Sequence, residues 1–150
     1  MSDFNRKDDL SVRIMERLPE KIKVLKEYQW VRGYKYTYTT GPFCLPQNTH
    51  SLDWGLLNND PSSQKVRVTV FKCSLLTTKT IEPPGPLEIT VDPGETTHNA
   101  NNANGGFFYE IQVECNSKLI FPYVAAWPGS IGDPLPGTVI NSANFIRKMN

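Results

Sequence analysis

The chain has 150 residues, enough for one domain with a real core and a short appendage. Its 16 basic and 15 acidic side chains leave a formal net charge of +1, so nothing global argues for a nucleic-acid or anionic-membrane partner. No apolar run approaches the roughly 20 residues of a membrane span, and the densely charged N-terminus has no signal-peptide core, which predicts a protein made in the cytoplasm and not secreted by the usual route.

Residues 1–31 stand apart. They hold seven basic and six acidic side chains, 13 charges in 31 residues, against 18 in the 119 that follow. That fall in charge density places a boundary between an arm, residues 1–31, and a domain, residues 32–150. In the arm, Leu10, Ile14, Leu18, Ile22 and Leu25 recur at spacings of 4, 4, 4 and 3, a single helical stripe. Ser2, Asp3, Asn5 and Asp8 are its candidate caps. Pro19 falls inside the stripe, so the helix is kinked or split there. A stripe this narrow builds no core of its own. It docks either on its own β domain or on another subunit.

Tyr28–Val31 leads into a strand in which Tyr34, Tyr36 and Tyr38 alternate with Lys35, Thr37 and Thr39. The three rings share a face. It is either packed, with hydroxyls at the rim, or open as a stacking stripe for sugar or peptide. Gly41-Pro42 and Pro46 break the chain. Ser51–Leu57 aligns Leu52, Trp54 and Leu56 as a short strand, and Asn58–Ser63 is a polar turn. In Lys65–Cys73, Val66, Val68 and Val70 face one way, and Arg67, Thr69, Phe71 and Cys73 the other. After the stiff corner Pro83–Pro86, Leu87, Ile89 and Val91 alternate with polar residues as far as a turn at Asp92-Pro93-Gly94. Thr96–Gly106 is long, polar and Asn-rich, and reads as an exposed loop crossing the sandwich.

Phe107–Cys115 and Lys118–Trp127 are the two strands around which the rest is arranged. The first places Phe107, Tyr109, Ile111, Val113 and Cys115 on one face and polar residues on the other. Asn116-Ser117 between them predicts a tight hairpin. The second places Leu119, Phe121, Tyr123, Ala125 and Trp127 on one face, and Pro122 marks it as an edge strand or a bulge. A last strand falls within Thr138–Met149, with Val139, Ile140, Phe145 and Ile146 as its apolar content. Eleven of the twelve prolines lie beyond residue 41, nearly all between strand-like runs. The expected fold is all-β, an antiparallel β-sandwich or jelly roll with an N-terminal helical arm.

No catalytic constellation is present. Gly129-Ser130-Ile131-Gly132 is not a Gly-x-Ser-x-Gly elbow. His50 and His98 have too few ligand-type neighbours by spacing for a metal site, and Asp92 and Glu95 do not match a calcium loop, so neither metal nor cofactor is expected. Aromatic residues interleave with basic ones only at Trp30–Tyr38, and the near-zero charge argues against nucleic acid. Cys44, Cys73 and Cys115 are an odd number, read as reduced thiols. Cys73 and Cys115 are not expected to bridge, because Cys115 shares a face with apolar residues while Cys73 lies opposite the valines.

The runs VRVTVFKC, PPGPLEITVDPGETT and GFFYEIQVEC resemble small sandwich proteins of spore-forming bacilli, including the jelly-roll subunits of endospore appendages. The resemblance spans residues 50–127 and implies assembly in the mother-cell cytoplasm, with the spore or cell surface as destination. In that family an N-terminal connector with paired cysteines joins subunits covalently. Residues 1–43 here contain no cysteine, so that cross-link does not carry over. The sequence reading is therefore a non-enzymatic structural subunit that forms a homo-oligomer or polymer through its sandwich and its arm. The alternative is a carbohydrate-binding module stacking sugars on Tyr34, Tyr36, Tyr38 and Trp127, with Trp54 and Tyr123 as further rings. A second alternative is a small enzyme of unfamiliar type, requiring His50 or His98 to meet a cysteine or carboxylate in a pocket.

Overall fold

The computed structural model describes residues 33–73, 79–83, 85–129 and 132–150. The amphipathic stripe Leu10, Ile14, Leu18, Ile22 and Leu25 lies outside the described residues. The chain divides into two units between Gly33 and Tyr34, and the second, Tyr34–Asn150, is built of antiparallel β-sheet. Among the described residues no helix is long and apolar enough to cross a membrane.

Ten strands follow in order: β1 (Tyr36–Thr39), β2 (Phe43–Cys44), β3 (Ser51–Asn58), β4 (Gln64–Cys73), β5 (Thr80–Ile81), β6 (Leu87–Val91), β7 (Thr96–Asn102), β8 (Phe108–Cys115), β9 (Ile120–Trp127) and β10 (Ile146–Met149). The larger sheet runs β10-β1-β8-β4-β5, with β2 also on β8 and β6 also on β4; the smaller runs β7-β3-β9. One apolar core joins the inner faces of both. Val66, Val68 and Val70 of β4 and Tyr109, Ile111, Val113 and Cys115 of β8 come from the larger sheet. Leu52, Trp54 and Leu56 of β3 and Ile120, Val124 and Ala126 of β9 come from the smaller. Each fully buried Leu, Ile or Val contributes about 1.5–3 kcal/mol.

The alternation of β4 and β8 holds in the structure, with the valines and Tyr109, Ile111, Val113 and Cys115 inward, whereas Phe107, expected in the same set, precedes the strand and is 47% exposed. Pro122 does lie on an edge strand, since β9 flanks only β3 within its sheet. All three cysteines are free: Cys44 exposed, Cys73 half-buried, Cys115 buried.

Two expectations are corrected. First, β8 and β9 are not a hairpin, because they belong to different sheets. A two-residue hairpin turn needs positive φ, and no described residue other than glycine adopts it. The chain instead turns a corner from sheet to sheet. Ser117 Oγ donates to Asp60 Oδ2 (2.6 Å), the Leu119 N–H donates to Ser117 Oγ (3.0 Å), and the Lys35 N–H donates to Asn116 Oδ1 (2.9 Å). Second, Thr96–Asn102 is a strand and not a loop, paired along its whole length with β3. Its propensity is low, but β3 offers it a ladder, and buried Asn101 accepts a hydrogen bond from Trp54 Nε1 (3.0 Å). The Leu119–Trp127 parity set of β9 shares one side, and that side points outward, since the inward residues are Ile120, Pro122, Val124 and Ala126.

Candidate binding face

The outer face of β7-β3-β9 is set by register. Phe121, Leu57 and Thr96 form one row; Tyr123, Gly55 and His98 the next; then Ala125, Asp53 and Ala100; then Trp127, Ser51 and Asn102. Because directly opposed residues of an antiparallel pair project to the same side, β9 lays Phe121, Tyr123 and Trp127 along one margin of the face. Tyr123 is 43% exposed, while Phe121 and Trp127 are half-buried. At about 3.3 Å per residue, Tyr123 and Trp127 stand about 13 Å apart along the strand.

Gly55 gives Tyr123 its place. A Cβ at Gly55 would collide with the Cε1, Cζ and hydroxyl of Tyr123, so the ring lies across the β3 backbone where a side chain would otherwise stand. Beside Trp127 the face carries an open depression of about 670 Å³, lined also by His50, Ser51, Asp53, Asn102 and Pro128. Ser51 Oγ donates to Asp53 Oδ1 (3.0 Å), which fixes the carboxylate. Among the described residues the side chains of His50, His98 and Asn102 have no hydrogen-bond partner. The Trp127 indole nitrogen is buried and likewise unpartnered among them.

The outer face of the larger sheet is different in kind, because its polar groups satisfy one another. Glu110, 4% exposed, accepts from Thr39 Oγ1 (2.7 Å), Lys79 Nζ (2.7 Å) and Gln112 Nε2 (2.8 Å). Burial alone would raise its carboxyl, but these three bonds outweigh burial and hold it below the usual carboxylate range. Arg67 grips Glu114 with two bonds of 2.6 and 2.9 Å. Burial, with Glu110 nearby, pushes the Cys73 thiol up. This face is a closed network and offers a ligand little.

The residues named from sequence are divided between the two sheets. Tyr34 and Tyr38 are buried at 8% and 7% exposure, and Tyr36 packs against the core. The Tyr34 hydroxyl donates to Glu88 Oε1 (3.4 Å), with the Arg67 guanidinium 5.3 Å from its ring centroid. The Tyr38 hydroxyl donates to the Lys118 carbonyl (3.4 Å). Trp127 is in the other sheet, so the tyrosines and Trp127 form no common row. Trp54 is buried at 3%. Phe121, Gly55 and Asn102 were not singled out from sequence. The signal for Phe121 was its shared parity with Tyr123 and Trp127. Among the described residues no three of His, Cys, Asp and Glu converge as for a metal ion, though His50 and Asp53 do line the same depression.

No family model and no curated protein matches the chain. Solved structures similar to it include Thermotoga maritima 1070, at 10% identity over 77% of this chain and 92% of that one, with a TM-score of 0.46. The Anabaena sensory rhodopsin transducer is similar at 13% identity over 61% and 87%, with a TM-score of 0.41. The Yersinia pseudotuberculosis-derived mitogen is similar at 15% identity over 71% and 95%, with a TM-score of 0.27.

Proposed function

We propose that this chain is a non-enzymatic structural subunit that assembles with copies of itself, of the filament or spore-surface type. The observation that carries the reading is the outer edge of β7. Its seven residues, Thr96–Asn102, include no Asp, Glu, Lys, Arg or proline, and only Asn101 among them is buried. The other edges are guarded. β10 carries Arg147 and Lys148, both exposed. β9 carries Pro122, and its free side is covered where Ile140 and Val124 exchange two backbone bonds of 2.8 Å. β5 has two residues, and β6 has five with an exposed Glu88 among them. Short edges, charges and proline deter strand addition, and β7 has none of these devices. Pairing of β7 with β7 of a second copy extends the smaller sheet across the contact, and the amphipathic arm supplies a further surface for joining subunits.

The test is the solution mass of the full-length protein by light scattering over a concentration series, with Ala100→Pro alongside. The Ala100 N–H donates to Asn99 Oδ1 (2.8 Å), so proline there gives up that local bond while closing the edge to a new strand. Concentration-dependent species that fall back toward monomer in Ala100→Pro are expected. A strict monomer throughout overturns the reading. Removing residues 1–31 should lower assembly and leave a folded β domain; an unfolded truncation would mean that the stripe completes the domain's own core.

A further inference from the structure

We propose that the outer face of β7-β3-β9 binds a neutral saccharide chain lying along β9, with one sugar ring stacked on Trp127 in the depression and another on Tyr123. The proposal goes beyond self-assembly, which uses the edge of the sheet and not its face.

Three aromatic residues turned outward on one strand, Phe121, Tyr123 and Trp127, are not accounted for by the core, which β9 fills from its other side. Tyr123 is 43% exposed and flanked by half-buried Phe121 on one side, and half-buried Trp127 lies beyond buried Ala125 on the other, so the outward rings form two separate stacking positions. The chemistry around Trp127 is mixed at the scale of one sugar. Beside the indole stand the Asp53 carboxylate, the Asn102 amide and the His50 imidazole, a set of donors and acceptors that suits vicinal hydroxyls. A pyranose matches this with a C–H face for the ring and a hydroxyl rim for the polar groups. Ser51 occupies Oδ1 of Asp53, and Oδ2 remains for the ligand.

Charge selects among ligands. None of the described residues lining the depression is Lys or Arg, and Asp53 repels anions, so phosphorylated, sulfated and uronic-acid ligands are disfavoured. An ammonium ligand calls for several rings around one charge, whereas among the described residues Trp127 is the one aromatic ring lining the depression, and Tyr123 is about 13 Å away. The polymeric nature of the ligand follows from that separation, which spans more than one sugar. Gly55 belongs to the device, because a larger residue there would drive the Tyr123 ring off the sheet.

The experiment uses the full-length protein with cello-, xylo-, malto- and chito-oligosaccharides of two to six units, read by titration calorimetry and tryptophan fluorescence, with circular dichroism on every variant. Binding is expected for one of these series. Trp127→Ala should weaken every length of it about tenfold. Tyr123→Ala and Gly55→Ala should weaken the hexamer and leave the dimer unchanged, and Asp53→Asn should weaken all lengths. Asp53→Asn is isosteric and keeps the test valid should Trp127→Ala misfold. Absence of binding to all four series at millimolar concentration overturns the proposal. So does binding indifferent to both Trp127→Ala and Asp53→Asn, or preferential binding of choline or of acidic oligosaccharides. None of these outcomes depends on whether the protein is monomeric.

Discussion

Asn58, the last residue of β3, should be among the most sensitive positions of the β domain. It is fully buried, at 0% exposure, in a stretch whose composition marks a polar turn. Its Nδ2 donates to the carbonyls of Val91 (2.8 Å) and Ser62 (3.0 Å), and its Oδ1 accepts from the Asp60 N–H (2.9 Å). Its backbone N–H donates to the Glu95 carbonyl (3.0 Å), and its carbonyl accepts from Gly94 (2.8 Å). One amide thus ties the end of β3 to the β3–β4 turn and to the end of β6. Asn58→Ala leaves three backbone groups without their partner. The Val91 carbonyl is buried and carries the full desolvation cost of about 1–3 kcal/mol, while those at Ser62 and Asp60 are nearer water and cost about 0.5–1 kcal/mol each. The sum is about 3 kcal/mol.

For a domain of this size, 1 kcal/mol moves the midpoint roughly 4 °C, so Asn58→Ala should lower Tm by about 12 °C. Asn58→Asp is the sharper control. It keeps the shape and the Asp60 bond but turns a carboxylate oxygen toward two carbonyl oxygens, and should cost at least as much. Thermal and urea unfolding followed by tryptophan fluorescence measure both. A loss below about 1 kcal/mol for the two variants would refute the claim that these side-chain bonds hold the corner.

Acid should destabilise the domain in two steps that share a sign. Hydrogen bonds from Ser117 and Ser62 hold the Asp60 carboxyl at about 2, and the bonds around Glu110 hold that group below its usual range. A depressed pKa contributes stability that is fully present above the unfolded carboxylate range, about 4, and is lost as pH falls through the folded value. Urea midpoints should therefore be flat from pH 7 to about 5 and fall between about 4 and 2; a midpoint that rises on acidification would contradict this. Thiol titration should find three free thiols per denatured chain, with Cys44 reacting first in the folded protein. Cys115 should react last, since burial pushes its thiol up to about 11; one free thiol on denaturation would contradict the geometry, in which Cys115 faces away from Cys73, and Cys44 and Cys73 lie on opposite sides of β8, about 9.6 Å apart.

The class of the fold was legible in β4 and β8, because each carries two chemically different faces. Valine against arginine and threonine leaves no choice about which side is inward. Sheet membership was not legible there. Alternation states which face a strand buries and is silent about its neighbours, so adjacency in sequence suggested a hairpin for β8 and β9 that the backbone angles do not form. β7 was hidden by composition, since Asn and Thr favour turns, and its strand state comes from the ladder offered by β3.

The candidate face was hidden for a related reason. Both parities of β9 are apolar, so alternation cannot say which one is buried. The larger aromatic set looks like core. Yet Leu52, Trp54 and Leu56 of β3 and Tyr109 and Ile111 of β8 already fill the space between the sheets. Only the small set, with Ala126 and Val124, fits beneath, and Phe121, Tyr123 and Trp127 turn outward by volume and not by polarity.

Edge and face are independent surfaces of one three-stranded sheet, and this makes the two proposals compatible. Pairing β7 with β7 of a second copy gives the order β9-β3-β7-β7-β3-β9, and the outer faces of the two copies become continuous. Five strand steps at about 4.8 Å set the two aromatic margins about 24 Å apart on the same side. A soluble oligosaccharide seated along one β9 does not sense the second copy. A polymeric surface presenting many chains does, because the first contact raises the effective concentration for the second. Self-assembly would then act on the saccharide site through valency alone, with no change in the geometry of Trp127, Asp53 or Tyr123.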